Sequence, residues 1–259
     1  MAYGNEVLTI TPVANSIYDA AGNAADASQN NNTATLNGFA QLVGADIYGE
    51  AVNDYFGRSI AMNAVGDRLI VGAIGENNAS GEDAGHARVF QYMNNAWTQL
   101  GSDIDGESAH DNFGRSVSMN AVGDRVAIGA DYHNNNTGHV RIYEYSNNAW
   151  TQIGTDIDGE AVDDRFGRSL SLNAFGDRIV IGARKNDGTG TDAGHARVFE
   201  YTNNAWSQMG PDIDGEGAGD NFGRSVSINA AGDRIAVGAN FNGGTGLSLI
   251  HISEPTRPY

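Results

Sequence analysis

The chain has 259 residues, of which 35 are glycine and none is cysteine, and its 32 acidic and 15 basic residues give a formal net charge of −17. The lack of cysteine excludes disulfides, thiolate metal sites and a cysteine nucleophile. The negative charge disfavours nucleic acid and anionic membrane surfaces as partners. No apolar run reaches the ~18 residues of a membrane-spanning helix, so we expect no membrane insertion.

The first 38 residues differ in composition from the rest of the chain. Residues 6–11 and 17–23 resemble the closing strands of a bacterial immunoglobulin-like domain, so we interpret residues 1–24 as the remnant of such a β domain. A disordered leader that only looks strand-like is the alternative. The Asn-rich residues 25–38 are typical of a linker. We interpret the start as an internal one produced by truncation, so the lack of a signal peptide carries no information on location.

A repeat occupies most of the remaining chain. The tetrapeptide FGRS begins at Phe56, Phe113, Phe166 and Phe222, and a GA dipeptide ends 17 residues after each of these phenylalanines. A GH dipeptide then opens the second half of each complete copy. Only the stretch from GA to GH changes in length, which is expected when one loop faces solvent and the rest packs against neighbouring repeats.

Each repeat predicts four short antiparallel strands. Residues 116–119 alternate polar and apolar side chains, residues 126–128 are apolar, and residues 139–145 and 149–153 are rich in β-branched and aromatic types. Four such strands in about 55 residues are typical of one propeller blade. The sequence therefore predicts an all-β fold, a β-propeller at residues 39–246 that forms an open arc or incomplete ring. Its blades are predicted at residues 56–101, 113–154, 166–210 and, in part, 222–246.

The order of FGRS, GA, a VRIYEY-type strand and an AWTQ-type strand resembles the FG-GAP repeats of integrin alpha-chain propellers and of secreted bacterial proteins. This resemblance implies a propeller, commonly of seven blades, that serves adhesion or ligand binding outside the cell or on its surface. The family's DxDxDGxxD calcium loop is replaced here by a short NAVGDR-type turn, so the resemblance assigns no calcium to it.

The carboxyl end departs from the repeat. Residues 247–257 read LSLIHISEPTR where the fourth GH element is expected, and they resemble a translated sequencing adapter. We interpret residues 247–259 as a non-native tail, with any later blades missing. Deleting the tail is expected to change the free energy of unfolding by no more than about 0.5 kcal/mol.

Residues that recur in every repeat favour a structural role. The arginines of FGRS, of GDR and of the third strand are expected to pack or pair between blades. We expect His86, His139 and His195 to make hydrogen bonds at the start of a strand, and Trp97, Trp150 and Trp206 to pack between blades. Single-copy loop residues are the remaining catalytic candidates, and they form no recognisable constellation: Asp131, His133, Arg184 and Lys185. We therefore predict no enzyme activity.

An acidic junction links each blade to the next, with carboxylates at relative positions 1, 3, 5 and 9. We refer to these as its first to fourth carboxylates. The full set recurs three times, as Asp103, Asp105, Glu107, Asp111; Asp156, Asp158, Glu160, Asp164; and Asp212, Asp214, Glu216, Asp220. An earlier copy, Asp46, Tyr48, Glu50, Asp54, lacks the second carboxylate. Converging carboxylates suit calcium. In the alternative, the aspartates cap backbone N–H groups and the intervening isoleucine packs inward.

Strand parity places the GA-to-GH loops and the acidic junctions at one end of the blades, which we call the loop face, and the short turns at the other, the turn face. Polar loops on a rigid scaffold are frequent binding sites. We therefore expect a non-catalytic binding or adhesion module of a large secreted or cell-surface protein. Its partner would be a glycan, a protein or the extracellular matrix. The alternatives are an accessory propeller of an extracellular enzyme, such as a polysaccharide-degrading one, and a structural spacer.

Overall fold

A computed structural model of the chain describes residues 44–241, and the expectations for residues 1–24, 25–38 and 242–259 lie outside that range. The regular secondary structure of the described residues is β-strand apart from one four-residue turn, α1 (His133–Asn136), in which Asn134 and Asn135 have left-handed backbone angles, so the all-β prediction is confirmed. Within this range, none of the helical structure has the length and apolar character needed to cross a membrane.

Seventeen strands follow one another in chain order through the described residues. Their bounds are β1 (Ser59–Met62), β2 (Arg68–Ala73), β3 (His86–Met93), β4 (Ala96–Gln99), β5 (Ile104–Asp105), β6 (Ser116–Met119), β7 (Arg125–Ala130), β8 (His139–Ser146), β9 (Ala149–Gln152), β10 (Ile157–Asp158), β11 (Phe166–Leu172), β12 (Arg178–Ala183), β13 (His195–Thr202), β14 (Ala205–Gln208), β15 (Ile213–Asp214), β16 (Phe222–Ile228) and β17 (Ile235–Ala239).

The strands form three complete sheets and a two-stranded fourth one, which confirms the predicted blades. All named strand pairs are antiparallel, in the order β1-β2-β3-β4 in the first blade. The prediction of four strands per blade is one strand short, because the blade also contains the two-residue strand β5. Both β4 and β5 pair with the same edge of β3, β5 at its start and β4 at its end. The acidic junction therefore begins as a continuation of the outer strand. Between residues 44 and 241, the sheets form an open series and no closed ring.

The hydrophobic core lies between blades rather than within any one of them. Ile70 and Val89 of the first blade share one cluster with Val126 and Ile128 of the second. Equivalent clusters join the second blade to the third and the third to the fourth. Because a single sheet cannot cover its own apolar faces, each blade depends on its neighbour for burial.

Contacts between the repeated turns add to this packing at the turn face. The amide oxygen of Asn120 accepts hydrogen bonds from the backbone N–H groups of Gly123, Asp124 and Arg125 and so closes the turn. The guanidinium of Arg125 then donates to the carbonyl of Gly176 in the next blade. Arg68 and Arg178 make the same contact, so the expected pairing of the GDR arginines between blades is confirmed.

Candidate functional site

The fourth carboxylate of each acidic junction closes the junction's own turn. Asp111 accepts a hydrogen bond from the backbone N–H of Ser108 at 3.1 Å, and Asp164 accepts one from Ala161 at 3.0 Å. Asp54 and Asp220 accept the equivalent hydrogen bond from Ala51 and Gly217. The isoleucines Ile104 and Ile157 are buried beneath the junctions. The capping alternative is therefore confirmed for this position.

The third carboxylate pairs with an arginine of the following blade. Glu107 lies 3.1 Å from Nη1 of Arg141, whose Nη2 donates to the backbone carbonyl of Asp105 at 2.8 Å. The same guanidinium stacks over the ring of Phe113, 4.3 Å from its centroid. Corresponding pairs join Glu50 to Arg88 and Glu160 to Arg197. The third-strand arginines thus hold blades together, as the sequence predicts.

The first carboxylates accept hydrogen bonds from a nearby glutamine, as Asp103 does from Gln99 at 2.6 Å and Asp156 from Gln152 at 2.7 Å. Asp212 accepts the same bond from Gln208. Burial raises the pKa of the second carboxylates Asp105 and Asp158, and the neighbouring Asp103 and Asp156 raise it further. The carboxylates of one junction therefore have different partners, and calcium at the junctions stays a prediction.

The structure instead brings junction carboxylates together with histidines. Ligand atoms within 4.8 Å of one another form three groups that could hold a metal ion. They are Glu107, His133 and His139; His139, Asp156 and Asp158; and Glu160, His195 and Asp212. Among the described residues, the seven other predicted ligands belong to none of these groups: Asp103, Asp105, Asp111, Asp164, Asp214, Glu216 and Asp220.

Two of the three GH histidines, His139 and His195, differ from the sequence expectation. His139 and His195 are almost completely buried, and neither ring nitrogen of either residue has a hydrogen-bond partner among the described residues. The prediction of a strand-start hydrogen bond from these side chains is wrong, because the nearest carboxylate oxygens lie 3.7 Å and 3.9 Å away, at Asp156 and Asp212. Burial, with help from His133 and Arg141, lowers the pKa of His139 to about 3.

The third residue after each GA alanine reaches the fourth carboxylate of the junction that enters its blade. In the second blade, Nδ1 of His133 lies 2.8 Å from Oδ2 of Asp111. In the third, Asn186 donates to Asp164 at 3.0 Å. In the first, Glu76 takes this place, where burial and the Asp54 carboxyl raise its pKa to about 7. One structural position thus carries three different side-chain chemistries.

A cavity of about 510 Å³ opens on the loop face of the second blade. It is lined on one side by junction residues 108–111 and on the other by loop residues 132–136, including the Asp111–His133 pair. Asn134, Asn135 and Asn136 all have positive φ angles, which asparagine tolerates better than most residues. The predicted sharing of one face by loops and junctions is therefore confirmed here.

A cluster of arginines from different blades surrounds a buried aspartate. Asp131 is 1% exposed and lies 3.8 Å from Nε of Arg115 and 3.7 Å from Nη1 of Arg168. Its burial raises its pKa, whereas Arg115, Arg165 and Arg184 lower it. Two of the single-copy loop residues, Asp131 and Arg184, therefore do belong to one constellation, which joins different blades and carries no signature in sequence spacing.

The resemblance seen in the sequence is supported by the FG-GAP repeat family model, which matches residues 42–90 and 152–199. Each matched segment covers FG-GAP sequence elements of the blades described above. The fold and loop face thus define a propeller module, and the chain carries FG-GAP repeats in these two segments. No curated protein sequence matches the chain.

Solved structures resemble the chain in fold alone. A candidate 6-phosphogluconolactonase from Bacteroides uniformis has 14% identity and a TM-score of 0.51, with coverage of 92% of this chain and 64% of that one. Hydrazine synthase from Kuenenia stuttgartiensis has 12% identity and a TM-score of 0.50, with coverage of 76% and 58%. The match therefore spans less than two thirds of either of these chains.

Proposed function

We propose that the chain is a non-catalytic binding module of a large secreted or cell-surface protein, and that it binds a glycan on its loop face. The cavity between residues 108–111 and 132–136 carries this proposal. Repeated contacts fix the blades below it, whereas the loop sequences that line it occur once. A rigid scaffold that presents variable loops is a frequent arrangement in binding proteins.

The chemistry of the cavity suits a sugar better than an apolar ligand. The Tyr132 side chain is 42% exposed, and Arg165 stacks over its ring, 3.8 Å from the centroid. Three consecutive asparagines provide hydrogen-bonding groups beside the aromatic ring. Aromatic rings with adjacent amide groups offer stacking and directional hydrogen bonds at once.

A glycan array probed with the whole chain tests this proposal. Binding to a defined class of saccharide is expected, and Tyr132→Ala is expected to lower the affinity at least tenfold. Tyr55→Ala is the control, because Tyr55 is also exposed but does not line the cavity. Absence of binding to every saccharide would argue for a protein or matrix partner or for a spacer, and equal saccharide binding by both variants would exclude this cavity as the glycan site.

The Asp111–His133 pair favours the accessory enzyme alternative, since among the described residues this hydrogen-bonded carboxylate–histidine pair occurs in the second blade alone. The Asp111 carboxylate raises the pKa of His133. Hydrolysis of the saccharides bound on the array, lost on His133→Asn, would establish catalysis. If the saccharides were unchanged after prolonged incubation, the non-catalytic binding role would stand.

A further inference from the structure

His133 and His139 form a pair of a kind that the repeat provides nowhere else in the described residues. Their rings are stacked, with centroids 4.0 Å apart and an interplanar angle of 19°. His139 is 0% exposed, and the described residues offer no hydrogen-bond partner to either of its nitrogens. A buried polar group without a partner is costly, so its retention calls for a ligand or another explanation.

The surroundings of this pair are those of a metal ligand set. Ligand atoms of Glu107, His133 and His139 all lie within 4.8 Å of one another. Nδ1 of His133 is held by Asp111 at 2.8 Å, which leaves Nε2 for an ion. Metal-binding histidines commonly donate their second N–H to a carboxylate in this way. The cavity lined by His133 gives an ion a route from solvent.

We propose that the second blade binds one zinc-class divalent cation through His133, His139 and Glu107. Two imidazoles and one carboxylate suit zinc, whereas calcium prefers a shell of oxygen atoms. Zinc–ligand bonds of about 2.1 Å place neighbouring ligands about 3.4 Å apart, and the nitrogen lone pairs lie in the ring planes. To bind one ion, the stacked rings must therefore turn out of their parallel arrangement, and Glu107 must exchange its contact with Arg141 for the metal. This site is independent of the glycan proposal, since no sugar contributes to it.

The third blade provides the matched control. Its group of Glu160, His195 and Asp212 offers one imidazole and two carboxylates in place of two imidazoles and one carboxylate, because Asn186 stands where the second blade has His133. His133→Asn should therefore keep the hydrogen bond to Asp111, as Asn186 keeps the one to Asp164, while removing one metal ligand. Conversely, Asn186→His should complete a second site in the third blade.

Titration of the whole chain with ZnCl2, followed by calorimetry and by the visible absorption of a Co²⁺-substituted sample, tests the site. We expect one ion bound per chain, at least a 100-fold loss of affinity in His133→Asn, and two ions per chain in Asn186→His. His110→Asn, an exposed cavity residue outside the group, should bind as the wild type does. Circular dichroism verifies that each variant is folded.

Three binding results would overturn the proposal. They are the absence of stoichiometric binding at 100 µM ZnCl2, an affinity that His133→Asn leaves unchanged, and equal losses in His133→Asn and His110→Asn. Co²⁺ spectra that lack imidazole-type coordination would do the same. A second bound ion in Asn186→His would show that this one position decides whether a blade holds metal.

Discussion

The hydroxyl of Ser116 donates a hydrogen bond to the carbonyl of Gly167 at 2.6 Å, across the boundary between the second and third blades. Ser59 and Ser169 donate in the same way to Gly114 and Gly223. In each case the serine of one FGRS element contacts the glycine of the next. The FGRS motif is therefore an element of the blade interface, which explains its recurrence.

The GA glycine lies directly beneath this contact. A Cβ added at Gly129 would come within 3.0 Å of both the Gly167 carbonyl oxygen and the Ser116 hydroxyl. We predict that Gly129→Ala lowers the free energy of unfolding by about 3 kcal/mol in urea denaturation, because the blades must separate to admit the methyl group. Ser116→Ala, which removes the hydrogen bond alone, should cost about 1 kcal/mol.

Gly217→Ala is the control for this pair of variants. A Cβ there would meet no atom closer than 3.6 Å, so a change within about 0.5 kcal/mol is expected. Equal effects of Gly129→Ala and Gly217→Ala would contradict the close approach of the FG and GA glycines.

Among the charged loop residues, we expect Asp131 to make the largest contribution to the free energy of unfolding. Asp131→Asn should lower the free energy of unfolding by about 3 kcal/mol, since Arg115 and Arg168 would then lose their buried counter-charge. Thermal and urea denaturation measure the loss. As a control, Glu82→Gln in another loop should leave the free energy of unfolding nearly unchanged. If Asp131→Asn also left it unchanged, other groups would have to supply the counter-charge of the arginines.

Folding shifts the pKa values of the two stacked histidines in opposite directions. His139 keeps a pKa of about 3 in the folded state against the ordinary histidine value of 6.5, so the unfolded state binds the extra proton and stability falls as pH decreases from 6.5 towards 3. The slope from this group is at most about 1.4 kcal/mol per pH unit. The pKa of His133 is raised by Asp111, so its contribution is present below pH 6.5 and is lost as pH rises through its folded pKa.

Histidine side-chain NMR resolves the two titrations. We expect His133 to change shift above pH 6.5 and His139 to remain neutral well below pH 5. His133→Asn should raise the pKa of His139, because it removes a neighbouring positive charge. A normal titration of His139 near pH 6.5 would contradict its burial.

Calcium at the acidic junctions is decided by melting curves. Equal rises of the melting temperature in millimolar CaCl2 and in NaCl of equal ionic strength would leave the backbone capping by the fourth carboxylates as the role of the junctions. A calcium-specific rise that the combined Asp105→Asn, Asp158→Asn and Asp214→Asn variant abolishes would establish the calcium hypothesis instead.

The architecture could be predicted from the sequence because the same motifs recur at nearly constant spacing. Equal spacing of FGRS and GA gives the blades, and strand parity gives the loop face on which the cavity opens. The extra strand β5 was missed, since a two-residue strand has too few residues for a period-2 pattern. Its inward isoleucine, Ile104, was the available signal.

The histidine group was not predictable from spacing. Glu107 lies in a junction, His133 in the following loop and His139 on the next strand, and only the sheet brings them together. The signal in the sequence was that the third position after GA is a histidine in one loop alone, at His133, whereas each complete blade has a histidine equivalent to His139. Comparison of the three loops at that one position identifies Glu76, His133 and Asn186 as the variable residue.

Amide hydrogen exchange of the whole chain, with and without the best saccharide from the array, tests the central claim most directly. The claim is that the loop face of the second blade binds the partner. We predict slower exchange in residues 108–111 and 132–136, with Tyr132→Ala removing the effect. Slowing confined to the turn face, at residues 63–68, 120–125 and 173–178, would contradict it.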